Sequence, residues 1–76
     1  MSPQHTYKVI ELVGVSDQDV SAAIKNAVSR ASRTLRGLDW FTVSEIRGLI
    51  QDGEVANFQV TLKVGFRLMS DSELGD

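Results

Sequence analysis

At 76 residues the chain has room for one small domain, which buries too little surface to be more than marginally stable alone. It has no cysteine and one histidine, His5, so a disulfide framework, a thiolate metal site and an all-histidine site within one chain are excluded. A formal charge of −2 argues against a general nucleic-acid binder, and with 42% apolar residues self-association is the remedy left for so short a chain. No run approaches the ~18 apolar residues of a membrane span. The opening MSPQHTYK has no apolar signal core, so a cytoplasmic address is expected by default.

Tyr7 to Val15 is rich in β-branched and aromatic residues and reads as a first strand. Ser16-Asp17-Gln18-Asp19 then matches a Ser-x-x-acid helix start. Val20, Ala23, Ile24, Ala27, Val28, Ala31 and Leu35 follow at three- and four-residue spacing, one continuous apolar stripe that predicts a long helix stopped at Gly37. Arg30, Arg33 and Arg36 lie largely off the stripe, and their place near its end suits the helix dipole.

Leu38 to Gln51 reads as a second strand, and Asp52-Gly53 is the pair favoured in two-residue hairpin turns. The third strand, Glu54 to Leu68, alternates Phe58, Val60, Leu62, Val64, Phe66 and Leu68 with Gln59, Thr61, Lys63, Gly65 and Arg67. The expected fold is therefore α+β: a β-α-β-β chain with a three-stranded antiparallel sheet on one long helix. A single domain over residues 1–76 is expected, with its core at 7–68 and flexible ends at 1–6 and 69–76.

The turn sets the hairpin register. Placing Gln51 opposite Glu54 sets Phe41 against Val64 and Val43 against Leu62, under the helix. Trp40 then faces Gly65, Thr42 faces Lys63, Ser44 faces Thr61 and Ile46 faces Gln59. Glu45 and Arg47 fall on the nominal core face, so either a bulge intervenes or the hairpin runs past the helix. Fifteen strand residues span ~50 Å, whereas a helix of about nineteen residues spans ~28 Å. One helix does not cover that sheet, and other subunits are expected to.

Trp40 is the strongest single pointer to function. A lone tryptophan is most often core or interface packing; beside Gly65, on the face away from the helix, it can also serve as a platform for a flat aromatic ligand. Gln59 would ordinarily be solvated, but its amide both donates and accepts, which suits the edge of a pyrimidine-like ring. Arg30, Arg33 and Arg36, ordinarily a solvated helix face, could with Lys63 and Arg67 hold phosphates. Glu45 and Arg47 most simply join an interface ion-pair network. No nucleophile has a partnered base, no Gly-x-Gly-x-x-Gly or Walker loop follows a strand, and no pair of carboxylates has an evident catalytic spacing. An enzyme is not suggested.

Four blocks carry a resemblance: Tyr7-Lys8-Val9-Ile10-Glu11-Leu12-Val13-Gly14, Thr34-Leu35-Arg36-Gly37-Leu38-Asp39-Trp40-Phe41, Glu45-Ile46-Arg47-Gly48, and Gln59-Val60-Thr61-Leu62-Lys63-Val64-Gly65-Phe66-Arg67. The chain resembles the dodecin family from about Tyr7 to Leu68. That resemblance implies a hollow homododecamer with helices outward, in which flavins bind as stacked pairs between two tryptophans near the two-fold axes. It implies flavin contacts at Trp40, Gln59, Arg47 and Asp39. FMN is the expected flavin, with riboflavin or FAD as variants. Coenzyme A contacts at Tyr7, Arg30, Thr34, Arg36 and Arg67 are also implied. The expected function is flavin storage that protects against photochemistry, with no catalysis, metal, nucleic acid or membrane involved. The alternative is a coenzyme A carrier or structural shell in which flavin is secondary. Trp40 and Gln59 share a face but lie ~20 Å apart along the strand, so one ligand touches both only if two subunits contribute.

Overall fold

The computed structural model describes residues 5–68. Four elements follow in chain order: β1 (Tyr7–Ser16), α1 (Val20–Ala31), β2 (Leu38–Gln51) and β3 (Glu54–Arg67). The expected β-α-β-β order holds. All pairing is antiparallel, in the order β1-β3-β2, so the strand with the most regular alternation is the central one. None of the helices among the described residues is long and apolar enough to cross a membrane. Of the ends expected at 1–6 and 69–76, residues 1–4 and 69–76 lie outside the described residues.

The helix is shorter than its apolar stripe. Its 12 residues give a rod of ~18 Å, not ~28 Å. It starts on Asp19, whose Oδ1 accepts from the Ala22 amide at 2.7 Å, while Ser16 Oγ accepts from the Gln18 amide at 3.0 Å. The start signal thus divides into a small turn at Ser16 and a cap three residues on. At the other end Ser32 Oγ donates to the Ser29 carbonyl at 2.8 Å, and Thr34 Oγ1 reaches the Ala31 carbonyl at 3.5 Å. Hydroxyls that take helical carbonyls weaken the ladder, and the chain leaves the helix after Ala31. Leu35 still returns its amide to the Ala31 carbonyl at 3.0 Å, and Gly37 makes the turn into β2 at φ 75°. Arg33 and Arg36 therefore lie beyond the helix; Arg30 alone occupies its last turn.

Ala23 and Ala27 of α1 pack on Val60, Leu62 and Val64 of β3, with Ile10, Leu12, Val20, Ile24, Val28 and Leu38 around them. Alanines let the helix come close, and Gly14 brings it closer. A Cβ at Gly14 would collide with the Ala23 carbonyl and lie 2.9 Å from the Ala27 Cβ. The helix lies mainly over β1 and β3, and beyond Leu38 it leaves β2 largely uncovered. Phe41 and Val43, expected beneath the helix, are on its side of the sheet but 48% and 36% exposed. Both a short helix and an edge position for β2 contribute to this.

The hairpin turns through Asp52 at φ 53° and Gly53 at φ 78°, the pair of positive angles that a two-residue type I′ turn needs. Register runs from Gln51↔Glu54 and Ile50↔Val55, then shifts at Leu49↔Asn57, shifts back between Val43 and Glu45, and shifts once more at Asp39. The extra residue is Ala56 on β3 in the first shift and Ser44 on β2 in the second, so the two cancel. Trp40↔Gly65, Phe41↔Val64, Thr42↔Lys63 and Val43↔Leu62 consequently stand as the turn foretold. Between the bulges the expectation fails: Glu45 faces Thr61, Ile46 faces Val60 and Arg47 faces Gln59. Bulge and overhang both occur in this hairpin.

Candidate functional site

The site is assembled on the face of the sheet turned away from α1. Directly opposed residues in an antiparallel pair project to the same side. Val60, Leu62 and Val64 point to the helix, so Gln59, Gly65 and Arg67 point away from it. Trp40 faces Gly65 and Arg47 faces Gln59. On the other side of β3, Tyr7 faces Arg67, Val9 faces Gly65 and Val15 faces Gln59. The bulge at Ser44 is what turns Glu45 and Arg47 off the helix side and onto this face. It is held where Ser44 Oγ donates to the Thr61 carbonyl at 3.2 Å.

Trp40 lies over the glycine. A Cβ at Gly65 would overlap Cε2 and Cζ2 of the indole and sit 2.7 Å from its Nε1. The absence of a side chain there is what lets the ring settle against the backbone. The ring remains 42% exposed. Tyr7 stands beside it, ring centroids 6.5 Å apart and planes tilted by 45°, and His5 meets Tyr7 edge-on at 6.5 Å. Tyr7 Oη donates to Asp39 Oδ2 at 2.7 Å. That bond, with the nearby carboxylate charge, raises the Tyr7 pKa above its ordinary value; the Arg67 cation opposes the rise.

Six strand positions from Gly65, ~20 Å along β3, Gln59 donates its amide to Asn57 Oδ1 at 3.3 Å. Arg47 is directly across from it. The four residues expected to contact flavin thus fall into two groups on one face: Trp40 with Asp39, and Gln59 with Arg47. The residues expected to contact coenzyme A separate as well. Tyr7 and Arg67 oppose each other beside Trp40, and the Arg67 amide donates to the Gly37 carbonyl at 3.0 Å, next to Arg36. Thr34 lies in the turn after α1, and Arg30 lines a groove of about 330 Å³ between α1 and β1 with Leu12, Val13 and Asn26. Sequence reasoning assigned Tyr7 and Asp39 to different ligands and missed that they bond to each other. The signal was faint, since it depends on β1 pairing with β3 and on the bulge that frees Asp39.

The family model for dodecin matches residues 6–69. The chain belongs to the dodecin family. A dodecin of Thermus thermophilus is 56% identical over 62 residues, covering 82% of this chain and 90% of that protein. The solved dodecin of Streptomyces coelicolor superimposes with a TM-score of 0.87 at 56% identity, covering 92% of this chain and all of its own. That of Streptomyces davaonensis gives 0.87 at 53% identity, covering 90% of this chain and all of its own.

Proposed function

We propose that the chain is a flavin-storage protein, a binder without catalytic activity, that holds FMN between the Trp40 indoles of paired subunits in a cytoplasmic homododecamer. The observation that carries this reading is the half-exposed indole laid over Gly65, a flat apolar plane with no side chain between it and the strand beneath. A flavin supplies a flat, light-absorbing ring system that stacks on such a plane. The chain's own residues do the rest. Trp40 provides stacking and desolvation, and the Gln59 amide donates to and accepts from the polar edge of the ring. Arg47, across from Gln59, supplies a cation for the phosphate, which favours FMN over riboflavin.

The ~20 Å between Trp40 and Gln59 supports a site completed by a second subunit, and so a self-assembling protein, in keeping with the family name. A ring enclosed between indoles is shielded from other reactants, which suits storage better than catalysis. Coenzyme A is the second ligand we propose, with Tyr7 facing Arg67 beside Arg36 as the phosphate-binding end.

Fluorescence titration with FMN tests the first ligand. Wild-type protein should quench the flavin strongly. Trp40→Ala should lose about 1–3 kcal/mol of affinity, as for one base stacked on an aromatic ring, while keeping its oligomeric state. If the Trp40→Ala protein bound FMN as tightly as wild type, the stacking role would be wrong.

A further inference from the structure

The ring that stacks a ligand must also be held in place, and Gly65 does not do that. With no side chain beneath it, the indole has room to lie flat but nothing at that position to stop it turning about its side-chain torsions. Trp40 also follows directly on Asp39, the extra residue of a bulge, where the ladder that would fix the strand is interrupted. Tyr7 supplies what both features lack. Its ring lies 6.5 Å from the indole, and its hydroxyl reaches across the central strand to bond Asp39 at 2.7 Å. The bond links the two edge strands at the level of Arg67, with β3 between them.

We infer that Tyr7 is a positioning residue for Trp40, its hydroxyl tethering the bulge at Asp39 and so fixing the orientation of the stacking indole. This role rests on the flavin-storage reading for its purpose but not for its test. Trp40 is the only tryptophan in the chain, so its fluorescence reports the indole alone. A tethered ring depolarises mainly by tumbling of the whole particle, whereas a loosened one adds rotamer motion in the picosecond to nanosecond range.

The experiment is time-resolved fluorescence anisotropy on the flavin-free full chain, with Tyr7→Phe, Asp39→Ala and Asp39→Asn. Tyr7→Phe keeps the ring and removes the donor; Asp39→Ala removes the acceptor from the other end. Both should increase the fast depolarisation of Trp40 to a similar extent. Asp39→Asn retains a side-chain oxygen that can accept, and should stay close to wild type. FMN affinity of Tyr7→Phe should fall about three- to tenfold, the net worth of one hydrogen bond. Unchanged anisotropy in Tyr7→Phe overturns the role, and so does a loosened indole in that variant alone with Asp39→Ala unaffected. Loosening in both variants, in a protein that fails to bind FMN even as wild type, upholds the positioning role and refutes the flavin reading instead.

Discussion

Tyr7 is the only tyrosine in the chain, so its ionisation can be followed directly by ultraviolet absorbance. The hydrogen bond to Asp39 raises its pKa above the ordinary 10.0, meaning that the fold prefers the protonated phenol. The sign follows from linkage: whatever stability the bond contributes is whole below 10.0 and is lost as pH climbs through the higher folded-state value. We expect an absorbance midpoint above 10.0 in wild type that falls back toward it in Asp39→Ala; equal midpoints would show that the carboxylate does not hold the phenol. A second residue-scale prediction concerns Gly65→Ala. The added Cβ would overlap the indole, a side chain on the surface, so the ring shifts and the backbone stays. Because the clash is with a side chain and not with backbone, thermal unfolding should show a smaller loss of stability than the ~1–3 kcal/mol of an overpacked core, and FMN should bind more weakly by titration. At this scale the sequence was informative at the Asp52-Gly53 turn, whose register foretells Trp40 on Gly65 because the bulges at Ala56 and Ser44 cancel. It was misleading at Arg47, because nothing in the side-chain pattern reveals that Ser44 is skipped by the ladder.

Among the elements, α1 and β1 meet at the tightest contact in the core. Gly14 faces Val60 beneath the helix, and a methyl group there would run into the Ala23 backbone carbonyl. Backbone cannot swing aside as a side chain can, so Gly14→Ala must lift the whole helix off the sheet. Overpacking of this kind costs about 1–3 kcal/mol, which thermal or urea unfolding at fixed protein concentration should register; a neutral result would mean that α1 slides without loss. The helix also shows why periodicity overstated its length. Leu35 continues the apolar spacing, but Ser29, Ser32 and Thr34 sit where their carbonyl and hydroxyl groups bond locally. A stripe records which residues face a core, and a turn of the right hand after Ala31 can keep Leu35 near that face without extending the rod. Strand order lay beyond the pattern too, although the regular alternation of β3 was a hint that it has a neighbour on either side.

The molecule as a whole is 55 × 22 × 15 Å, long and thin because the β2–β3 hairpin outruns a short helix. Phe41, Val43 and Ile46 occupy the helix side of β2 with no helix over them, at 48%, 36% and 57% exposure. Covering one such side chain fully is worth about 1.5–3 kcal/mol, a large share of the stability that a chain this small can have. Folding is therefore expected to be coupled to association, with a melting temperature that rises with protein concentration. Ile46→Lys tests this without touching the candidate site. Ile46 faces Val60 on the helix side, whereas its neighbour Arg47 faces Gln59 on the other. If copies of the chain cover that apolar strip, the lysine should shift native mass spectra to smaller species and lower the melting temperature. It should also weaken FMN binding, although Trp40, Gln59 and Arg47 are all intact. That last effect decides between two kinds of site. A site complete within one chain would bind FMN equally well in the dissociated variant. A site divided between Trp40 of one subunit and Gln59 of another must be lost with the oligomer, in proportion to the fraction dissociated.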